Sequence, residues 1–263
     1  MNPRRDAAAY AASKRSTRRV AVIDGRRFTY VVSGEGAPVI VFLSGAGMDL
    51  DSWFLVRPEA ARISSAFAYD RLGTGGSDRP ATEQSGHSIV EGLRQVLTGA
   101  ALAPPYVLVG HSLGGLYANL FARTHPGEVC GVVLVDSAAP GDILDRPTVG
   151  RVAKVINGAI GVIGRLTGRR GFDEADTVEL TLQQLAAAPP FPPVPLVVIS
   201  GGKRMPLVPE GAFRAHADHQ RELVELSPQG RHLIAGDSGH FPHLQEPGLV
   251  VDAIADVVAR CRA

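Results

Sequence analysis

Apolar and polar residues alternate around Asp24-Gly25 in "VAVIDGRRFTYVVSGEG" (residues 20–36). Period-two alternation on both sides of Asp-Gly predicts a tight β-hairpin. Six apolar runs follow: "PVIVFLSG" (38–45), "SSAFAYD" (64–70), "YVLVG" (106–110), "CGVVLVD" (130–136), "VPLVVIS" (194–200) and "RHLIAG" (231–236). These runs are apolar at consecutive positions, as expected of parallel strands covered on both faces. Between them lie helical stripes. Leu113, Leu116, Tyr117, Leu120 and Phe121 fall on one face and stop at Pro126-Gly127. Leu249, Val250, Ala253, Ile254, Val257 and Val258 form a second stripe near the C-terminus. Strands alternating with helices after an opening hairpin predict an open, mostly parallel α/β sheet with antiparallel edges.

One interval breaks this rhythm. Nearly sixty residues separate the strand ending at Asp136 from the one starting at Val194. Two stretches of helical periodicity, 150–170 and 173–190, occupy it before the Pro-rich "PPFPPVP". A connection that long carries structure of its own. The reading is a helical cap over 140–192, inserted into a core made of 20–139 and 193–263, behind an arm of residues 1–19. The cap is expected to cover the pocket, and Gly158, Gly161, Gly164 and Gly168 to let it move.

The 263 residues are 45% hydrophobic with a formal net charge of +1, enough for one large core and no electrostatic case for nucleic acid or an anionic membrane. The arm is the exception. It holds Arg4, Arg5, Lys14, Arg15, Arg18 and Arg19 against Asp6 alone and is expected to be a disordered, solvated tail. No run reaches the ~18 apolar residues of a membrane span, and the arm lacks a signal-peptide core, so a cytoplasmic protein is expected. Cys130 and Cys261 are expected to be separate buried thiols, and no metal-ligand spacing is present.

Gly110-His111-Ser112-Leu113-Gly114 fits G-x-S-x-G between a predicted strand and a predicted helix. In that context the serine sits on a sharp turn at a helix N-terminus, where backbone amides favour negative charge. The chain here resembles the α/β-hydrolase family. "VFLSGAGMDLDSW", "YDRLGTGGSDRP", "VGHSLGGLYA" and "SGHFPHLQEP" carry the resemblance, in that order, over about residues 20–263. It implies an α/β-hydrolase fold and a serine hydrolase acting on a small-molecule substrate.

Ser112 needs a base, and a histidine suits the role. His240 follows a predicted strand and precedes the C-terminal helix, the slot of the family's catalytic histidine. The other histidines read otherwise: His243 as packing or capping, His111 as buried in the elbow, and His216 and His219 as solvated on a polar helix face. The family usually supplies its acid after the strand at 194–200, yet "GGKRMPLVPEG" has no carboxylate before Glu210. Asp136 ends the preceding strand, a position some members, including haloalkane dehalogenases, use for the acid. Asp136 is the first choice, with Glu210, Asp142 and Asp237 as alternatives. The backbone amides of Leu113 and Ala46 are expected to form the oxyanion hole. Ser44-Gly45 stands where the family often has His-Gly, which puts the support of that loop in question. "YDRLGTGGSD" fails G-x-G-x-x-G at Asp78 and reads as a structural turn.

The resulting expectation is an acyl-enzyme hydrolase for a small apolar ester, lactone or thioester, with no metal or organic cofactor. Its rivals are an acyltransferase, a cofactor-free haloperoxidase or perhydrolase, and a hydrolase-fold ligand receptor. The sequence leaves the oligomeric state undetermined.

Overall fold

A computed structural model describes residues 3–144, 175–206 and 208–263. Eight strands form one sheet in the order β1-β2-β4-β3-β5-β6-β7-β8. They are β1 (Arg19–Ile23), β2 (Arg26–Ser33), β3 (Val39–Leu43), β4 (Ala66–Tyr69), β5 (Tyr106–His111), β6 (Val129–Val135), β7 (Leu196–Gly201) and β8 (Gly230–Ala235). Every predicted strand is present. Antiparallel pairing is confined to one edge, β1–β2 and β2–β4. All other neighbours are parallel, so β8 is a parallel edge and the expectation of antiparallel pairing at both edges is corrected. β8 is reached by a crossover through a helix, and such a crossover returns the chain in the parallel sense.

The consecutive apolar runs have the physical reason proposed for them. Side chains alternate across a strand, so both sheet faces need apolar cover. Val39, Val41 and Leu43 of β3 join one buried cluster, and Ile40 and Phe42 the other. β5 splits the same way, with Leu108 on the first face and Val107 and Val109 on the second. The first cluster is closed by α3 (Gly86–Gly99) and α4 (Leu113–Thr124). The second is closed by α8 (Pro247–Arg262), the short α2 (Arg57–Ala60) and a 3₁₀ turn, Leu50–Trp53.

The arm departs from the expected disordered tail. Pro3–Lys14 form helix α1, and the reason lies in a buried carboxylate. Asp51 has no side-chain exposure and is met by Lys14 at 2.5 Å, Arg18 at 2.6 Å and the Ser13 hydroxyl at 2.9 Å. Burial alone would raise the Asp51 carboxyl, but Lys14, Arg18 and Ser13 outweigh it and hold the group below the usual carboxylate range. Tyr10 also packs edge-on against Phe54.

The insert leaves β6 through α5 (Pro140–Leu144) and returns through α6 (Ala175–Ala187) to β7. Its predicted helix at 150–170, with the four glycines, lies outside the described residues. α6 packs into the same layer as α3 and α4. Leu182, Leu185 and Phe191 are buried in the same cluster as Leu116 and Leu120. Gln184 Oε1 also accepts the His87 amide at the start of α3 at 2.9 Å. Spacing of three and four residues gives α6 an apolar face that α3 and α4 cover. Among the described residues, no helix is long and apolar enough to cross a membrane.

Candidate active site

The corner after β5 is as crowded as its glycines suggest. A Cβ on Gly110 would lie 2.6 Å from the Gly114 carbonyl oxygen, and one on Gly114 only 2.2 Å from that of Leu43. Such close approach admits only hydrogen at either position. Ser112 between them adopts φ +50° and ψ −122°, a conformation that costs a non-glycine residue about 1–3 kcal/mol. That strain, held by β5 and α4, places its hydroxyl at the rim of the sheet.

Three chain segments converge there. His240 Nδ1 donates to Asp136 Oδ2 at 2.7 Å, leaving Nε2 to face the Ser112 hydroxyl at 3.2 Å. Asp136, at φ +42°, lies just beyond β6 and is buried. Its second oxygen accepts the Gly201 amide at the end of β7 at 2.8 Å. Parallel strands bring their carboxyl ends to one rim, which is why residues 112, 136 and 240 meet. The loop carrying His240 is braced within itself. Glu246 accepts from the Asp237 amide and the Ser238 hydroxyl, each at 2.8 Å, and Gln245 accepts the Gly239 amide at 2.8 Å. His111 Nε2 then donates to the His240 carbonyl oxygen at 2.8 Å, joining this loop to the elbow.

The profile of the alpha/beta hydrolase family matches residues 40–253. The chain belongs to that family. It is 28% identical over 245 residues to the uncharacterised protein YqjL of Bacillus subtilis (strain 168), covering 89% of each chain. A thermophilic esterase from Thermogutta terrifontis superposes with a TM-score of 0.67 at 19% identity, over 94% of this chain and 100% of that one. The enol-lactonase from Burkholderia xenovorans LB400 does so at 0.67 and 21% identity, over 92% and 100%.

The loop after β3 lies against the elbow, where a Cβ on Gly114 would meet the Ser44 carbonyl oxygen at 2.6 Å, and Ser44 and Arg71 support it. Ser44 Oγ donates to the Asp49 carbonyl oxygen at 3.1 Å and accepts from Ser52 Oγ at 3.1 Å and Trp53 Nε1 at 3.2 Å. Buried Arg71 donates to the carbonyl oxygens of Ser44 at 2.7 Å and Gly45 at 2.8 Å. Leu113 starts α4 directly after the serine, and Ala46 follows the two clamped carbonyls. "YDRLGTGGSD" is the structural turn expected, but its arginine reaches the site's loop, a role the sequence reading missed.

The alternative acids are engaged elsewhere. Glu210 pairs with Arg204 and Arg214, and Asp237 with Lys203. Asp142 meets His216 Nδ1 at 3.0 Å and His219 Nδ1 at 2.8 Å. This corrects the reading of both histidines as solvated. They lie on α7 (Glu210–Val224), whose inner face covers the rim, and His216 Nε2 stands 3.3 Å from Asp136 Oδ1. Burial would lower His216, but Asp136 and Asp142 outweigh it and push it up to about 10. For Asp136, burial would raise the carboxyl, yet His216 and His240 hold it well below the carboxylate range. His111 goes the other way: burial, then the neighbouring His240, push it down to about 3. His243 packs as expected, fully buried against Trp53 and His111, and burial also depresses it strongly. The neutral His111 ring therefore lies 4.9 Å from that of His240 without adding charge, with the neutral His243 ring behind it at 4.3 Å from His111.

Proposed function

We propose that this α/β-hydrolase is a serine hydrolase cleaving a small apolar ester, lactone or thioester through an acyl-enzyme. The observation that carries the reading is the continuous hydrogen-bonded series from Ser112 through His240 to Asp136. In this reading, Ser112 Oγ attacks the substrate carbonyl carbon while His240 Nε2 takes the hydroxyl proton. Asp136 keeps Nδ1 protonated and offsets the imidazolium charge. The tetrahedral oxygen gains charge only as the bond forms, and the Leu113 and Ala46 amides stabilise it there. His240 returns the proton to the leaving group. It next deprotonates a water that releases the acid and frees Ser112. An ester or lactone suits these parts, and the esterase and enol-lactonase of the same fold are compatible with that class.

The test is Ser112→Ala, assayed with a chain-length series of chromogenic esters and a fluorophosphonate label. Turnover and labelling should both vanish while the melting temperature stays near that of the parent, since one small hydroxyl contributes little to the core. Labelling that persists at another serine would overturn the assignment. Transfer of the acyl group to an added alcohol in preference to water would turn the reading to an acyltransferase.

A further inference from the structure

Ser112, His240 and Asp136 account for only half of a longer series of polar side chains. Beyond Asp136 the contacts run to His216, Asp142 and His219, crossing from β6 to α7 to α5 and back. Each ring nitrogen of His216 faces a carboxylate oxygen, Nδ1 that of Asp142 at 3.0 Å and Nε2 that of Asp136 at 3.3 Å. A neutral imidazole would turn one lone pair toward a carboxylate, so this placement calls for protons on both nitrogens. Nε2 stands off the line of a hydrogen bond to Asp136, so the contact there is one of charge rather than direction. Asp142 is itself fixed, because its Oδ2 accepts the Ala139 amide at 3.0 Å.

We propose that His216 is a fixed cation behind the triad acid, a positioning residue that offsets part of the Asp136 charge felt by His240. The proposal rests on the triad reading above. Asp136 stabilises positive charge on the His240 ring as it takes up the serine proton, and a second cation next to Asp136 opposes that stabilisation. Among the described residues, the groups facing His216 are Asp136 from the end of β6, Asp142 from α5 and, through Asp142, His219 on its own helix. Among the described residues, those facing His240 are Ser112, Asp136 and the neutral His111, with the neutral His243 packed behind His111.

Two measurements test the proposal, one of which needs no turnover. Ring-nitrogen NMR of the full chain should find His216 doubly protonated at pH 8. A neutral His216 ring at that pH overturns the proposal, whatever any variant does. In His216→Gln, the acid limb of kcat/KM and the NMR titration of His240 should both move up by about one pH unit, the size expected of a unit charge several ångströms away. A purely structural role predicts the opposite sign, because a loosened Asp136 would favour the imidazolium less. An unchanged or lowered midpoint therefore overturns the proposal. If the parent protein turns over no ester, the hydrolase reading fails, and the NMR titrations still decide the role of His216.

Discussion

Replacing Arg71 by methionine keeps a long side chain and removes the two donors that hold the Ser44 and Gly45 carbonyls. Each lost bond is to a charged donor and contributes about 1.5–3 kcal/mol in a buried setting. Gly45 retains the Met48 amide at 3.2 Å, so the combined loss falls near the lower half of the range, about 3–4 kcal/mol. For a chain of this length that lowers the melting temperature by about 10 °C. The functional effect is separate from the structural one. If the Ala46 amide completes the oxyanion hole, a displaced loop removes a donor that acts only in the transition state. kcat should then fall about a hundredfold with KM little changed. Steady-state kinetics on one chromogenic ester, beside calorimetry, reads both numbers. A melting temperature that falls while kcat stays within about threefold of the parent would refute the link between Arg71 and the oxyanion loop.

Asp136→Asn should leave the fold and the serine position intact and lower kcat by about 10⁴, because the amide can favour the wrong His240 tautomer; a loss under about tenfold would move the acid elsewhere. Deleting residues 1–18 strips Asp51 of Lys14, Arg18 and Ser13. This should cost about 3 kcal/mol in urea unfolding, the low end for a broken buried pair because Lys14 and Arg18 are partly exposed. The folded Asp51 carboxyl is depressed, so its contribution is full above the unfolded value of about 4 and fades as pH falls through the folded value. The stability gap between parent and deletion should therefore narrow below about pH 4, and a gap independent of pH would show that the arm acts through other contacts.

What the sequence determined by itself is whatever local order encodes. A strand covered on both faces must be apolar at consecutive positions, so runs such as "PVIVFLSG" and "VPLVVIS" announced β3 and β7 without any neighbour. The elbow was legible for the same reason. Its pattern falls within five residues, and the crowding at Gly110 comes from Gly114 and Gly115 of the same turn, although the crowding at Gly114 comes from Leu43 on β3. Asp136 was visible as a carboxylate ending an apolar run, at the rim where parallel strands deliver their side chains. The remaining features depend on which faces meet. His216 and His219 sit on a helix of mostly polar residues, and no periodicity shows that its inner face covers Asp136 and Asp142. Arg71 looks like one more turn residue until the β4 rim brings it beneath the loop after β3. Lys14 and Arg18 look like solvated charge, because the carboxylate that orders them lies more than thirty residues away at Asp51. Burial of a charge becomes favourable only once its partner is in place. Tertiary structure alone decided these pairings, since the free energy that fixes each one belongs to two distant segments and to neither separately.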